Sequence, residues 1–173
     1  MADDYSFKGY DKEHMARVIG RSLPISFKQS VEICNLIRNK ELKHIKDVLK
    51  RVAERRQAVP FRRFRHNIGH KTKIGVGRYP GKASKEILKL ISSAEANAQF
   101  KGLNTANLVV NSIIANKASK VMRIGSKRSR RAKRTNIEIV VQEKAAKTGE
   151  NSKNKHETAK KAKGGIGMEN NKK

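Results

Sequence analysis

The run Val59-Pro60-Phe61-Arg62-Arg63-Phe64-Arg65-His66 interleaves aromatic rings with guanidinium groups. Arginine grips phosphate with a two-pronged fork and stacks on bases, while aromatic rings stack in turn or anchor the segment. Further along, Lys117, Lys120, Arg123, Lys127, Arg128, Arg130, Arg131, Lys133 and Arg134 form a ribbon that carries only cations. Between Arg55 and Lys85 the chain holds ten Lys or Arg and no acid, and between Ala96 and Ile137 it holds ten more, again without an acid. Nearly half of the 41 basic residues therefore lie in two segments that have no internal counter-charge. Such self-repulsion is tolerated when a polyanion neutralises it, and nucleic acid is the commonest polyanion in a cell. The candidate contacts are Arg62, Arg63, Arg65, His66, Lys71, Lys73, Arg78 and Lys82 in the first segment and the nine cations of the ribbon in the second.

Other chemistries find no support. His66 and His70 stand four apart but lie among glycines, with no Cys or carboxylate nearby to complete a metal site. Gly81-Lys82-Ala83-Ser84 has the flavour of a phosphate loop, but Val76 and Ala83 occupy two positions where that pattern needs other residues. No Ser, His and Asp set, paired carboxylates or HExxH string can be assembled, so no catalytic residue and no cofactor is expected. The acids are sparse and mostly fall on exposed helix faces as ordinary solvated charges. One cysteine, Cys34, excludes an internal disulfide and reads as a small buried hydrophobe. No apolar run approaches the ~18 residues that a membrane span needs. Asp3, Asp4, Asp11 and Glu13 do not follow the order of a signal peptide, and the chain reads as soluble and intracellular.

The elements that must position these cations can be placed from periodicity. A net charge of +26 over 173 residues, with 36% apolar, suits one domain with tails. Residues 1–22 read as an extended or strand-like lead-in. Ser26-Phe27-Lys28-Gln29 has the form of a capping box and opens a helix over roughly 26–39 with Phe27, Val31, Cys34 and Ile37 on one face. Leu42, Ile45, Val48, Leu49 and Val52 predict a second helix to about Gln57, closed by Pro60. Residues 60–82 read as one long loop, a length usually reserved for function. Ser84 can cap a third helix that carries Ile87, Ile91, Ala94 and Ala98 and stops at Gly102.

Leu108–Ala115 and Asn136–Gln142 are rich in strand formers. With Gly125-Ser126 as a two-residue turn, Ile114 faces Ile137, Ser112 faces Ile139 and Val110 faces Val141. The basic ribbon, 116–135, then becomes the outer part of a long hairpin that projects by roughly 30 Å at ~3.3 Å per residue. From 144 to 173 the composition is that of a disordered Lys-rich tail.

Five ordered strings now stand out: Leu23-Pro24-Ile25-Ser26-Phe27-Lys28, Val59 to Arg65, Gly77-Arg78-Tyr79-Pro80, Ser93-Ala94-Glu95-Ala96-Asn97-Ala98 and Ile137-Glu138-Ile139-Val140-Val141. From about Tyr5 to Glu143 the chain resembles the universal large-subunit ribosomal protein twenty-two family, number seventeen in older eukaryotic naming, in its archaeal form. The resemblance implies an α+β domain, 23–143, of three helices on a three-stranded antiparallel sheet with a protruding basic hairpin. It further implies a cytoplasmic ribosomal protein that binds large-subunit rRNA, neighbours other large-subunit proteins and helps the RNA fold. The hairpin tip, carried over to Met122, Arg123, Ile124, Gly125, Ser126, Lys127 and Arg128, would line the nascent-peptide exit tunnel and meet the nascent peptide. Family tips are usually rich in Arg, Ala and Gly, a pattern from which Met122-Arg123-Ile124 departs. The competing reading is an architectural DNA-binding protein with a basic β-arm, for which Ile124 would be the wedge. An RNA-processing enzyme fits poorly without acid–base or metal groups.

Overall fold

Alternation along Thr135–Glu143 explains the centre of the molecule. Ile137, Ile139 and Val141 point into the main core, while Glu138 and Val140 are buried on the opposite face. A strand covered on both sides belongs in the middle of a sheet, and in this computed structural model, which describes residues 5–144, it does lie there. This strand, β6, runs antiparallel to β1 (Met15–Leu23) on one side and to β5 (Leu108–Lys117) on the other. The stretch read as a lead-in thus supplies a nine-residue edge strand. Helix α3 (Gly81–Phe100) packs on β1 and β6, α1 (Phe27–Ile37) on β5, and α2 (Leu42–Ala53) on α3. The result is three helices on a small antiparallel sheet with a protruding β5–β6 hairpin.

Helix ends follow different local rules from those expected. Ser26 occupies the N-cap of α1 with extended backbone, yet its side chain makes no capping bond, so the capping box is not formed. Helix α2 ends at Ala53, not near Gln57, and the chain turns away through Arg55 at φ +62. Pro80, not Ser84, is the N-cap of α3, which leaves Ser84 buried inside the first turns with no partner for its hydroxyl. The C-terminus of α3 ends as expected: Gly102 takes φ +77, and Gly102 and Leu103 donate back to the Gln99 and Ala98 carbonyls.

The hairpin register is corrected by a bulge. Val110 pairs with Val141 as anticipated, but Asn111 is extra, and beyond it Ser112 pairs with Val140, Ile113 with Ile139, Ile114 with Glu138 and Ala115 with Ile137. The bulge has a simple cause: strict alternation after Val110 would bury Ser112, and one extra residue puts Ile113 there instead. Asn111 is not wasted, since its amide donates to Gln142 at 3.0 Å. Nor is the tip a two-residue turn. Met122 bridges Arg131, Arg123 N–H donates to the Arg130 carbonyl at 3.0 Å, and a short 3₁₀ turn covers Gly125–Lys127 with Gly125 at φ +80. The Lys-rich tail, apart from Lys144, lies outside the described residues.

Candidate nucleic-acid interface

The segment read as one long loop has a skeleton of its own. Short strands β2 (Val59–Pro60), β3 (His70–Lys71) and β4 (Gly75–Arg78) form a second sheet in the order β2-β4-β3. Glycine makes its centre feasible: a Cβ on Gly77 would lie 3.1 Å from the Val59 carbonyl oxygen and 2.9 Å from Ile74 Cδ1. Phe61 is buried in the core and Phe64 half-buried against it. Their anchoring leaves Arg62, Arg63, Arg65, His66, Lys71, Lys73, Arg78 and Lys82 exposed.

What holds the arginine run is a carboxylate. Glu32 on α1 is only 1% exposed, and its two oxygens accept the backbone N–H groups of Arg62 at 3.1 Å, Arg63 at 2.9 Å and Phe64 at 2.8 Å. Three consecutive donors converging on one anion fix the loop backbone and satisfy a charge that would otherwise be costly to bury. The expectation that the acids are merely solvated is therefore corrected at Glu32. It is corrected again at Glu138, 4% exposed, which accepts from the backbone and hydroxyl of Ser6 at 2.7 and 3.0 Å and from Asn116 at 3.3 Å. Sequence reasoning missed both. The available signal was a lone acid flanked by apolar residues, Val31-Glu32-Ile33 and Ile137-Glu138-Ile139, where a solvated charge has no reason to stand.

The arm cations divide into two groups. Lys120, Arg123, Arg128, Arg130, Arg131 and Lys133 are exposed along the ribbon. Arg134 is partly buried, with Nη1 donating to the Ser22 carbonyl at 3.2 Å, and so ties the arm's base to the end of β1. Lys117 is exposed but holds its ammonium 5.4 Å from the Phe27 ring centre. Phe27 in turn meets Phe64 edge-on at 6.3 Å, and Lys28 and Arg63 each stand 5.6 Å from the Phe64 ring centre. Loop, α1 and arm base are thereby joined by one cation–aromatic cluster. At the tip, Val121 and Met122 are exposed, and Ile124 is 98% exposed.

Among the described residues no group of three or more His, Cys, Asp or Glu is placed to hold a metal ion, and no helix is long and apolar enough to cross a membrane. His66 and His70 are both exposed, His70 within β3. Cys34 lies in the core, where burial pushes its thiol up to about 12 against a smaller opposing pull from Arg38.

A cation-rich loop and a cation-rich arm on this sheet topology invite comparison with known proteins. The family model described as ribosomal protein L22p/L17e matches residues 18–142, which includes both basic segments and every element except the start of β1 and the last residue of β6. The chain belongs to the L22p/L17e family. Curated relatives named large ribosomal subunit protein uL22 agree with that membership. The one from Cenarchaeum symbiosum is 36% identical over 146 residues, covering 80% of this chain and 96% of its own. That of Methanocaldococcus jannaschii is 44% identical over 114 residues, covering 64% of this chain and 73% of its own. A third, from Archaeoglobus fulgidus, is 41% identical over 110 residues, or 62% and 71% of the two chains. The L22p/L17e match extends through the whole arm.

Proposed function

We propose that this protein binds large-subunit rRNA through two surfaces, the loop pinned by Glu32 and the arm, and that its hairpin tip faces the nascent-peptide exit tunnel. As an L22p/L17e member it is a structural constituent of the large ribosomal subunit, not an enzyme. The observation that carries the two-surface reading is the exposure of the loop's candidate cations, and of Lys120, Arg123, Arg128, Arg130, Arg131 and Lys133 on the arm, while the loop backbone is fixed from inside by a buried carboxylate. Cations held this way neutralise phosphates where RNA segments crowd together, which lowers the repulsion that opposes compact RNA folding. Contacts run mostly to phosphates and 2′-hydroxyls, with bases met where they are unstacked. Met122 to Arg128 is the segment assigned to the tunnel, where it meets the nascent peptide. Neighbouring large-subunit proteins and a cytoplasmic location follow from the same assignment.

Sedimentation of a native lysate at high and low Mg²⁺ tests this directly. Co-migration with the large subunit through moderate salt is expected. Arg128, Arg130 and Arg131 changed together to Glu should abolish incorporation while the domain stays folded, and normal incorporation of that variant would refute the arm's role. Exposed Ile124 is the one feature that favours an architectural DNA binder. Migration with DNA, or preference for duplex DNA over structured RNA in competition, would make that reading the better one.

A further inference from the structure

The capping box that fails to form leaves two polar side chains unused. Ser26 makes no cap bond, and the carboxamide of Gln29 has no hydrogen-bond partner among the described residues. Both open onto a cleft of about 240 Å³ between the loop and the base of the arm. Phe61 and Phe64 form its apolar wall, while Arg78 and Lys133 stand at its rim, one from the loop and the other from the arm. A second cleft of about 420 Å³, lined by Arg55, Lys71 and Tyr79, shares Gln29, Ile68 and Arg78 with the first. The two clefts adjoin in one groove, with Gln29, Ile68 and Arg78 lining both.

We infer that this groove takes a single-stranded stretch of RNA and that the Gln29 cleft receives one base turned out of its stack. The inference rests on the rRNA-binding reading and deepens it. Cations along both rims suit the phosphates of a passing strand, and an apolar wall suits the flat face of a base. A free carboxamide offers donors and an acceptor side by side, the arrangement that reads a base edge with two hydrogen bonds. A solvated surface glutamine needs no cleft, and a phosphate-only site needs no amide. A base is the ligand that uses the whole set.

The test compares large subunits carrying the full-length wild type with subunits carrying Gln29→Met, which keeps side-chain length and helix propensity but removes both hydrogen-bonding groups. Bases are probed with dimethyl sulfate and a carbodiimide. The expected result is normal incorporation with one or two nucleotides gaining reactivity by roughly fivefold or more, the shift that a lost bidentate contact produces. Gln29→Glu, which keeps the shape but removes the donor, should expose the same nucleotides. An incorporated Gln29→Met with the wild-type reactivity pattern overturns the inference. So does loss of incorporation by a variant whose thermal midpoint is unchanged, since the effect would then not be confined to one base. Failure of the wild type itself to enter subunits would instead remove the rRNA-binding reading.

Discussion

The loop and the arm have the same charge character but opposite sources of order. Residues 60–82 are pinned by three bonds to Glu32, crossed by a small sheet and anchored through Phe61. Residues 118–134 have no carboxylate and no buried aromatic, only a few cross-arm bonds such as Ala132 N–H to the Val121 carbonyl at 2.8 Å. A loop whose backbone is fixed before binding presents its cations with little ordering cost. An arm without a core must draw its order from the partner it neutralises, and that cost is recovered only on a large surface.

The strongest test of that contrast neutralises the arm. Arg128, Arg130 and Arg131 changed to Gln should lower the slope of log K against log salt for large-subunit RNA by about two to three, with no change in thermal midpoint. A shifted midpoint would mean that the arm supports the fold, and the contrast would fail. Glu32→Ala should behave in the reverse way. Leaving three loop N–H groups without their anion costs about 2–4 kcal/mol in urea unfolding, with Glu32→Gln costing less because one acceptor remains. Equal stability of Glu32→Ala and wild type would show that the loop is not ordered from within.

The smallest effect concerns Cys34, which reports on the main core. With its thiol raised from 9.0 to about 12, it should resist a thiol reagent at pH 9 in the folded protein and react fully after denaturation. Because the folded-state value is the raised one, its contribution to stability is complete below pH 9.0 and fades as pH climbs toward 12. Rapid native labelling would mean that the core around α1 opens readily.

Much of the fold was legible because periodicity is local. The apolar faces of Leu42 to Val52 and of Ile87 to Ala98 lie buried where the spacing puts them, and Gly102 stops α3 by the rule that predicts it. Registers and caps were less legible, because each depends on what a neighbour offers. The bulge at Asn111 exists because the sheet must bury Ile113, and the box at Ser26 stays open, its two side chains lining a cleft.

By itself, the sequence determined the protein's charge logic: two acid-free cationic segments, a helical and strand pattern, and the ordered strings that mark its family. Those properties belong to residue types and spacing along the chain. Only the tertiary structure decided that Glu32 would hold Arg62 to Phe64 and that Arg134 would serve the fold by binding Ser22. It alone brought Gln29 and Lys133 to one cleft. The physical reason is burial. A carboxylate is solvated or structural according to whether water can reach it, and that depends on segments thirty or a hundred residues away meeting in space.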